Sequence, residues 1–123
     1  MPLAVEIDHK KRFVTVTTDG HVALADILAY FDRLVVENAA SYDKLFDASN
    51  VDPHLSDADI MVLGARVSAY AAFDPRGRLA LVAQSPAARD MIRRFMNLGR
   101  AKRPAMLFER VKDARAWLET KPD

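Results

Sequence analysis

Leu79-Ala80-Leu81-Val82-Ala83 is an unbroken apolar run, and Gln84-Ser85-Pro86 leads from it straight into a helical pattern. A strand without alternation leaves no solvent face, so this one is predicted to be internal, covered on both sides, at the centre of its sheet. Ser85 is a capping residue, and Pro86 stands at the first helical position, where a missing N–H does no harm. Behind them Ala88, Met91, Ile92, Phe95 and Leu98 recur at helical spacing, and Gly99 supplies the stop. The same pairing of a short apolar run with a longer amphipathic one occurs at residues 13–17, 44–48 and 105–108. That alternation predicts a single α/β domain, residues 1–123, with a mainly parallel sheet.

Residues 3–8 and 12–18 alternate apolar and polar positions, as two half-buried strands would, and His9-Lys10-Lys11 between them reads as a solvated hairpin turn. The first helix is predicted over residues 23–38, with Leu24, Ile27, Leu28, Phe31, Leu34 and Val35 as its apolar stripe and Tyr30 at the rim. Residues 42–48 form a strand with polar ends, followed by a polar loop over 49–55. Ser56 then reads as an N-cap, with Asp59 three residues on completing a capping box and Asp57 favourable to the helix dipole. The second helix, residues 57–73, turns Ile60, Leu63, Val67 and Ala71 inward and stops at Asp74-Pro75-Arg76-Gly77. A short closing helix over 112–119 buries Ala114, Trp117 and Leu118.

Composition narrows the function classes. With 50% hydrophobic residues, a chain of this length builds a real core without disulfides. There is no cysteine, so thiol catalysis, thiolate zinc sites and iron–sulfur ligation are excluded. Eighteen basic and 17 acidic residues give a net charge of +1, which favours neither nucleic acid nor a membrane surface. No apolar stretch is long enough to span a bilayer and no secretory leader is visible, so a cytoplasmic location is expected.

The chemistry-bearing residues form no catalytic constellation. Ser49, Ser56 and Ser85 lie near strand ends but not in G-x-S-x-G, and the four glycines match neither G-x-G-x-x-G nor the Walker A loop. His9, His21 and His54 are scattered, with no pair at a metal-ligand spacing. His54 has acidic neighbours in Asp52, Asp57 and Asp59, with Asp47 upstream, but helix capping and dipole roles account for them, so neither a metal nor a cofactor is expected. The densest basic group is Arg89, Arg93, Arg94 and Arg100, with Lys102 and Arg103; part of it complements a helix C-terminus and the rest is a candidate site for an anionic group.

The order strand–strand–helix–strand–helix–strand–helix–strand–helix resembles the SpoIIAA-like fold of bacterial anti-sigma-factor antagonists and STAS domains. The carriers are Lys44-Leu45-Phe46-Asp47-Ala48-Ser49-Asn50-Val51, Ser56-Asp57-Ala58-Asp59-Ile60 and Ala114-Arg115-Ala116-Trp117-Leu118, the last similar to the STAS/SEC14-type branch. The resemblance implies a five-stranded sheet, mainly parallel, with the first strand in an antiparallel hairpin, and four main helices. It also implies a regulatory, protein-interacting module rather than an enzyme, its partner surface made by Ser49, Asn50, Asp52, His54, Ser56 and Asp57. The antagonists' Asp-Ser-Ser-Gly phosphorylation motif is not kept: Asp57 stands at the phosphoserine position, Ser56 at the preceding aspartate and Asp59 at the glycine. The SEC14-type likeness implies an alternative, a small apolar or lipid-like ligand with Arg89, Arg93, Arg94 and Arg100 near its head; an enzyme of unknown reaction ranks third. A large closed apolar cavity would favour the ligand, and a flat surface with exposed apolar residues around the second helix would favour a partner. Tyr70 and Phe73, beside Ala65, Ser68, Ala69 and Ala72, exceed what one helix can turn to a single core, and a homodimer is expected through that surface.

Overall fold

The computed structural model describes residues 2–52, 54–71, 77–98 and 105–120, without the side chains of residues 70, 71 and 98. The elements in chain order are β1 (Leu3–Asp8), β2 (Phe13–Thr18), β3 (Gly20–His21), α1 (Leu24–Val36), β4 (Asp43–Asp47), β5 (Val51–Asp52), α2 (Asp57–Ala71), β6 (Leu79–Val82), α3 (Pro86–Leu98), β7 (Ala105–Phe108) and α4 (Val111–Glu119). Five strands form one sheet in the order β1-β2-β4-β6-β7, with β1 antiparallel to β2 and every other pair parallel. The expected five-stranded α/β sheet with four helices is therefore present.

Two placements differ from the sequence reading. The Leu79–Val82 strand is internal, as its apolar run requires, but β4 occupies the centre of the sheet. The polar end of β4 hid this: Lys44 is only 2% exposed, and its ammonium donates to the carbonyls of Ala40 (2.6 Å) and Tyr42 (2.7 Å). In α1 the buried residues are Tyr30 and Leu34, with Ile27 and Phe31 packed beside them, while Val35 is half exposed. Val35 lies about 100° around the helix from Leu34 and leaves the stripe. Tyr30 takes its place, with its ring 5.6 Å from that of Phe31 and 6.0 Å from that of Phe46.

The register sorts side chains to two faces. Val14 pairs with Lys44 and Val16 with Phe46, which in turn oppose Leu79 and Leu81. These residues point toward α1, α2 and α3. Leu45, Ala80 and Val82 point to the other face, where Ala114 and Leu118 of α4 cover them. Trp117, expected to be substantially buried, is half-buried against Phe108, with the Arg78 guanidinium 5.6 Å from its ring centre. Gly77 is required just before β6, because a Cβ there would stand 2.3 Å from the Tyr42 carbonyl oxygen.

The helix starts follow the sequence signals. Ser85 Oγ accepts from the Ala88 amide at 3.1 Å. Ser56 and Asp59 form a reciprocal capping box at 3.1 Å each way. Residues 72 and 73, expected to finish the second helix, lie outside the described residues, as do Gly99 and Arg100. One feature has no counterpart in the sequence reading: β3 and β5 form a separate two-stranded parallel ribbon, His21 in register with Asp52.

Candidate functional site

Between the sheet and the three helices on one face lies a cavity of about 310 Å³. Its floor is Phe46 of β4, Leu79 and Leu81 of β6 and Ala105 of β7. Ile27, Tyr30, Phe31 and Leu34 of α1 form one wall. Ile60, Leu63 and Val67 of α2 face Met91, Ile92, Phe95 and Met96 of α3 across it, and Leu55 closes the side nearest the loop. Among the lining residues Lys44 alone carries charge. A volume of this size falls at the small end of the range of about 300–1,000 Å³ typical of ligand pockets. Ile27, Phe31, Leu34, Ile60, Leu63, Val67, Met91, Ile92 and Phe95 are expected core residues, whereas the sequence reading puts Leu55 in the polar loop and Tyr30 at the rim; the space left between the helices depends on their spacing, which periodicity does not encode.

The loop residues expected to meet a partner are all exposed and lie around the carboxyl ends of the central strands. Ser49 donates to Asp47 Oδ1 at 2.5 Å and accepts from the Gln84 side chain at 3.1 Å. Asn50 offers its carbonyl to the Gly20 amide at 2.9 Å, and Asp52 Oδ2 lies 2.9 Å from His54 Nε2. Ser56 is occupied with capping. Asp57 pairs with Arg94 at 2.7 Å, which joins the two groups of candidate residues.

Among the described residues, the candidate arginines meet different partners. Arg89 donates to the carbonyls of Ala83 (2.8 Å) and Phe108 (3.4 Å), tying α3 to the ends of β6 and β7. Arg94 is held by Asp90 at 2.5 Å as well as by Asp57, and hydrogen bonding to these two carboxylates, Asp90 first, raises its already high pKa. Arg93 is exposed on α3, and Arg100 lies outside the described residues. Arg89, Arg93 and Arg94 do not line the cavity.

The histidines are less scattered in space than in sequence. The β3–β5 ribbon sets the rings of His21 and His54 with centroids 4.9 Å apart, and Asp52 joins them; one donor atom from each of the three lies within 4.8 Å of the others. His9 stands elsewhere, with Nδ1 2.8 Å from the Tyr42 hydroxyl.

The strand order and helix placement match solved structures over nearly the whole chain. The fold is SpoIIAA-like. A crystal structure of an uncharacterised protein of the DUF3478 family, with a SpoIIAA-like fold, from Shewanella loihica is similar at a TM-score of 0.60 and 18% identity, covering 94% of this chain and 91% of that one. An anti-sigma factor antagonist from Mycobacterium paratuberculosis is similar at a TM-score of 0.61 and 21% identity, covering 96% of this chain and 93% of that one. No protein-family model matches the chain, and no curated protein matches it by sequence. At these identities the likeness is one of fold. Among the described residues, no helix of the SpoIIAA-like chain is long and apolar enough to cross a membrane.

Proposed function

We propose that this chain is a cytoplasmic, non-enzymatic binding module whose cavity takes a small apolar or lipid-like ligand. The observation that carries this reading is the apolar space of about 310 Å³ at the junction of three helices and the sheet. Its lining lacks the nucleophile–base pairs that covalent chemistry needs, among the described residues. The one charged lining residue, Lys44, has its ammonium turned to the Ala40 and Tyr42 carbonyls, so the wall suits a ligand with an apolar body. On α3, the exposed Arg93 is the candidate for contact with a head group that reaches the surface.

The test is displacement of a fluorescent long-chain fatty acid from the full chain. Saturable one-to-one binding is expected, and Val67→Trp, which directs bulk into the cavity, should weaken it at least about tenfold, a change of about 1.4 kcal/mol. Met61→Ser, on the outer side of α2, should leave it intact. Absence of saturable binding to the parent, or equal binding by Val67→Trp, would remove the ligand reading.

A second reading has its own observation. Met61 is 64% and Val62 43% exposed at the start of α2, beside the loop that carries Ser49, Asn50, Asp52 and His54. A regulatory protein partner, or a second copy of the chain, would cover them, and the likeness to an anti-sigma factor antagonist supports an interaction role. Sedimentation equilibrium of the 13.7 kDa chain separates the cases. Twice the chain mass, returning to the monomer mass in Met61→Glu, identifies this face as the dimer contact; a constant monomer mass in the parent ends the dimer proposal.

A further inference from the structure

His21, Asp52 and His54 come from segments about thirty residues apart, yet the fold presents them together. Gly20 pairs with Val51 and His21 with Asp52 in the parallel ribbon, and the Gly20 amide donates to the Asn50 carbonyl at 2.9 Å. The backbone therefore holds two of the three residues side by side. Two positions beyond Asp52, the His54 ring returns over both, with Nε2 2.9 Å from Asp52 Oδ2 and its ring centre 4.9 Å from that of His21.

We propose that His21, Asp52 and His54 form a binding site for a divalent transition metal of the zinc class. The donor set is two imidazoles and one carboxylate, which suits borderline cations and not magnesium or calcium, whose sites are built from oxygen. It also matches the three-protein-ligand arrangement in which zinc keeps one position open to water or another ligand. The donor atoms lie within 4.8 Å of one another. Around a tetrahedral zinc with bonds of about 2.0–2.1 Å, neighbouring donors stand about 3.3–3.4 Å apart. Closing that difference takes rotation of side chains that are all exposed, with no movement of a packed element. An ordinary surface ion pair explains the contact between His54 and Asp52; it does not explain why a second histidine shares the same few ångströms at the tip of a two-residue ribbon. Metal binding would join β3, β5 and the residues leading into α2. The site stands on these three side chains alone and does not depend on what the cavity holds.

The test is calorimetric titration of the full, tag-free chain with Zn²⁺. One site per chain is expected, and excess Mg²⁺ should not compete. Loss even of a hydrogen-bond partner behind a metal ligand costs about 10–100-fold in affinity, so loss of a ligand should cost at least that. His21→Ala, His54→Ala and Asp52→Asn should therefore each weaken binding at least about tenfold. His9→Ala, removing the third histidine, should leave the affinity unchanged. All three ligand positions are exposed, so matching far-ultraviolet circular dichroism without metal is expected for every variant. In the parent itself, the ring resonances of His21 and His54 should shift on adding Zn²⁺ while those of His9 stay in place, a readout that needs no substitution. No Zn²⁺ binding by the parent, undiminished binding in any of the three ligand variants, or loss on His9→Ala would overturn the proposal.

Discussion

Arg78 leaves the approach to β6 and crosses to the far end of α4. Its Nη1 donates to the carbonyls of Trp117 (3.1 Å) and Thr120 (2.8 Å), and Nη2 donates to that of Leu118 (2.6 Å). The last carbonyls of a helix have no partner within it, so a cation there both satisfies them and complements the dipole. Asp43 completes the arrangement, its Oδ2 2.8 Å from Nη2 and its Oδ1 accepting from the Arg78 amide at 2.8 Å. The Arg78 side chain is buried, and its Nε has no hydrogen-bond partner among the described residues, so little slack remains. Without Asp43 the guanidinium keeps its three helix carbonyls but loses its charged partner, and hydrogen bonds to charged groups are worth about 1.5–3 kcal/mol. Asp43→Ala is expected to lower stability by that amount in urea unfolding. A loss under about 1 kcal/mol, the worth of a surface pair, would show that the guanidinium is solvated instead. Nothing local in the sequence reveals this contact, because its partners lie 35 and 39–42 residues away. Ser56 and Asp59 show the opposite case: a cap is a three-residue device, and it was legible in full.

At the scale of elements, legibility followed periodicity. The apolar run of β6 marks it as internal but not as neighbour to a central β4, while the stripes of α3 and α4 turn Ala88, Ile92, Ala114 and Leu118 inward, since a buried face repeats at the period of the backbone. The β3–β5 ribbon has two residues in each strand, too few to show any period, and with it the meeting of His21 and His54 stayed hidden. Burial of Lys44 was hidden for another reason: two backbone carbonyls satisfy its ammonium, and hydrophobicity patterns do not register such partners. The closing helix gives a measurable check on docking. Ala114 and Leu118 are buried on the sheet, but Trp117 only half so, with its ring shared between Phe108 and the Arg78 guanidinium. Full burial of a large aromatic makes truncation cost about 3–5 kcal/mol. Trp117→Ala should thus fall near the lower end, with an unfolding midpoint clearly below the parent's. An unchanged midpoint would mean that α4 contributes nothing through this side chain.

For the molecule as a whole, the two faces of the sheet are packed differently. On the α4 side Leu45, Ala80, Val82, Ala114 and Leu118 close into a continuous cluster. On the other side, three helices share a face too wide for them to fill, and about 310 Å³ stays between their side chains. The cavity is partly open, so water reaches its apolar walls, and drying such surface is worth about 25 cal/mol per Å². The total stability of such a domain is only about 5–15 kcal/mol. An apolar occupant that dried these walls would therefore add a sizeable share of that stability. Linkage gives the size of the gain: a ligand at about one hundred times its dissociation constant adds about 2.7 kcal/mol. For a chain of this length, that corresponds to a rise in Tm of about 8–15 °C. Protein stripped of lipid by reversed-phase extraction and refolded should show this rise on adding a saturating long-chain fatty acid. Val67→Trp, with the space occupied by its own side chain, should melt higher than the stripped parent and respond to the fatty acid hardly at all. If the parent's Tm does not move with the fatty acid, the cavity is a flaw in packing that the fold tolerates, and the exposed face of α2 becomes the place to look for function.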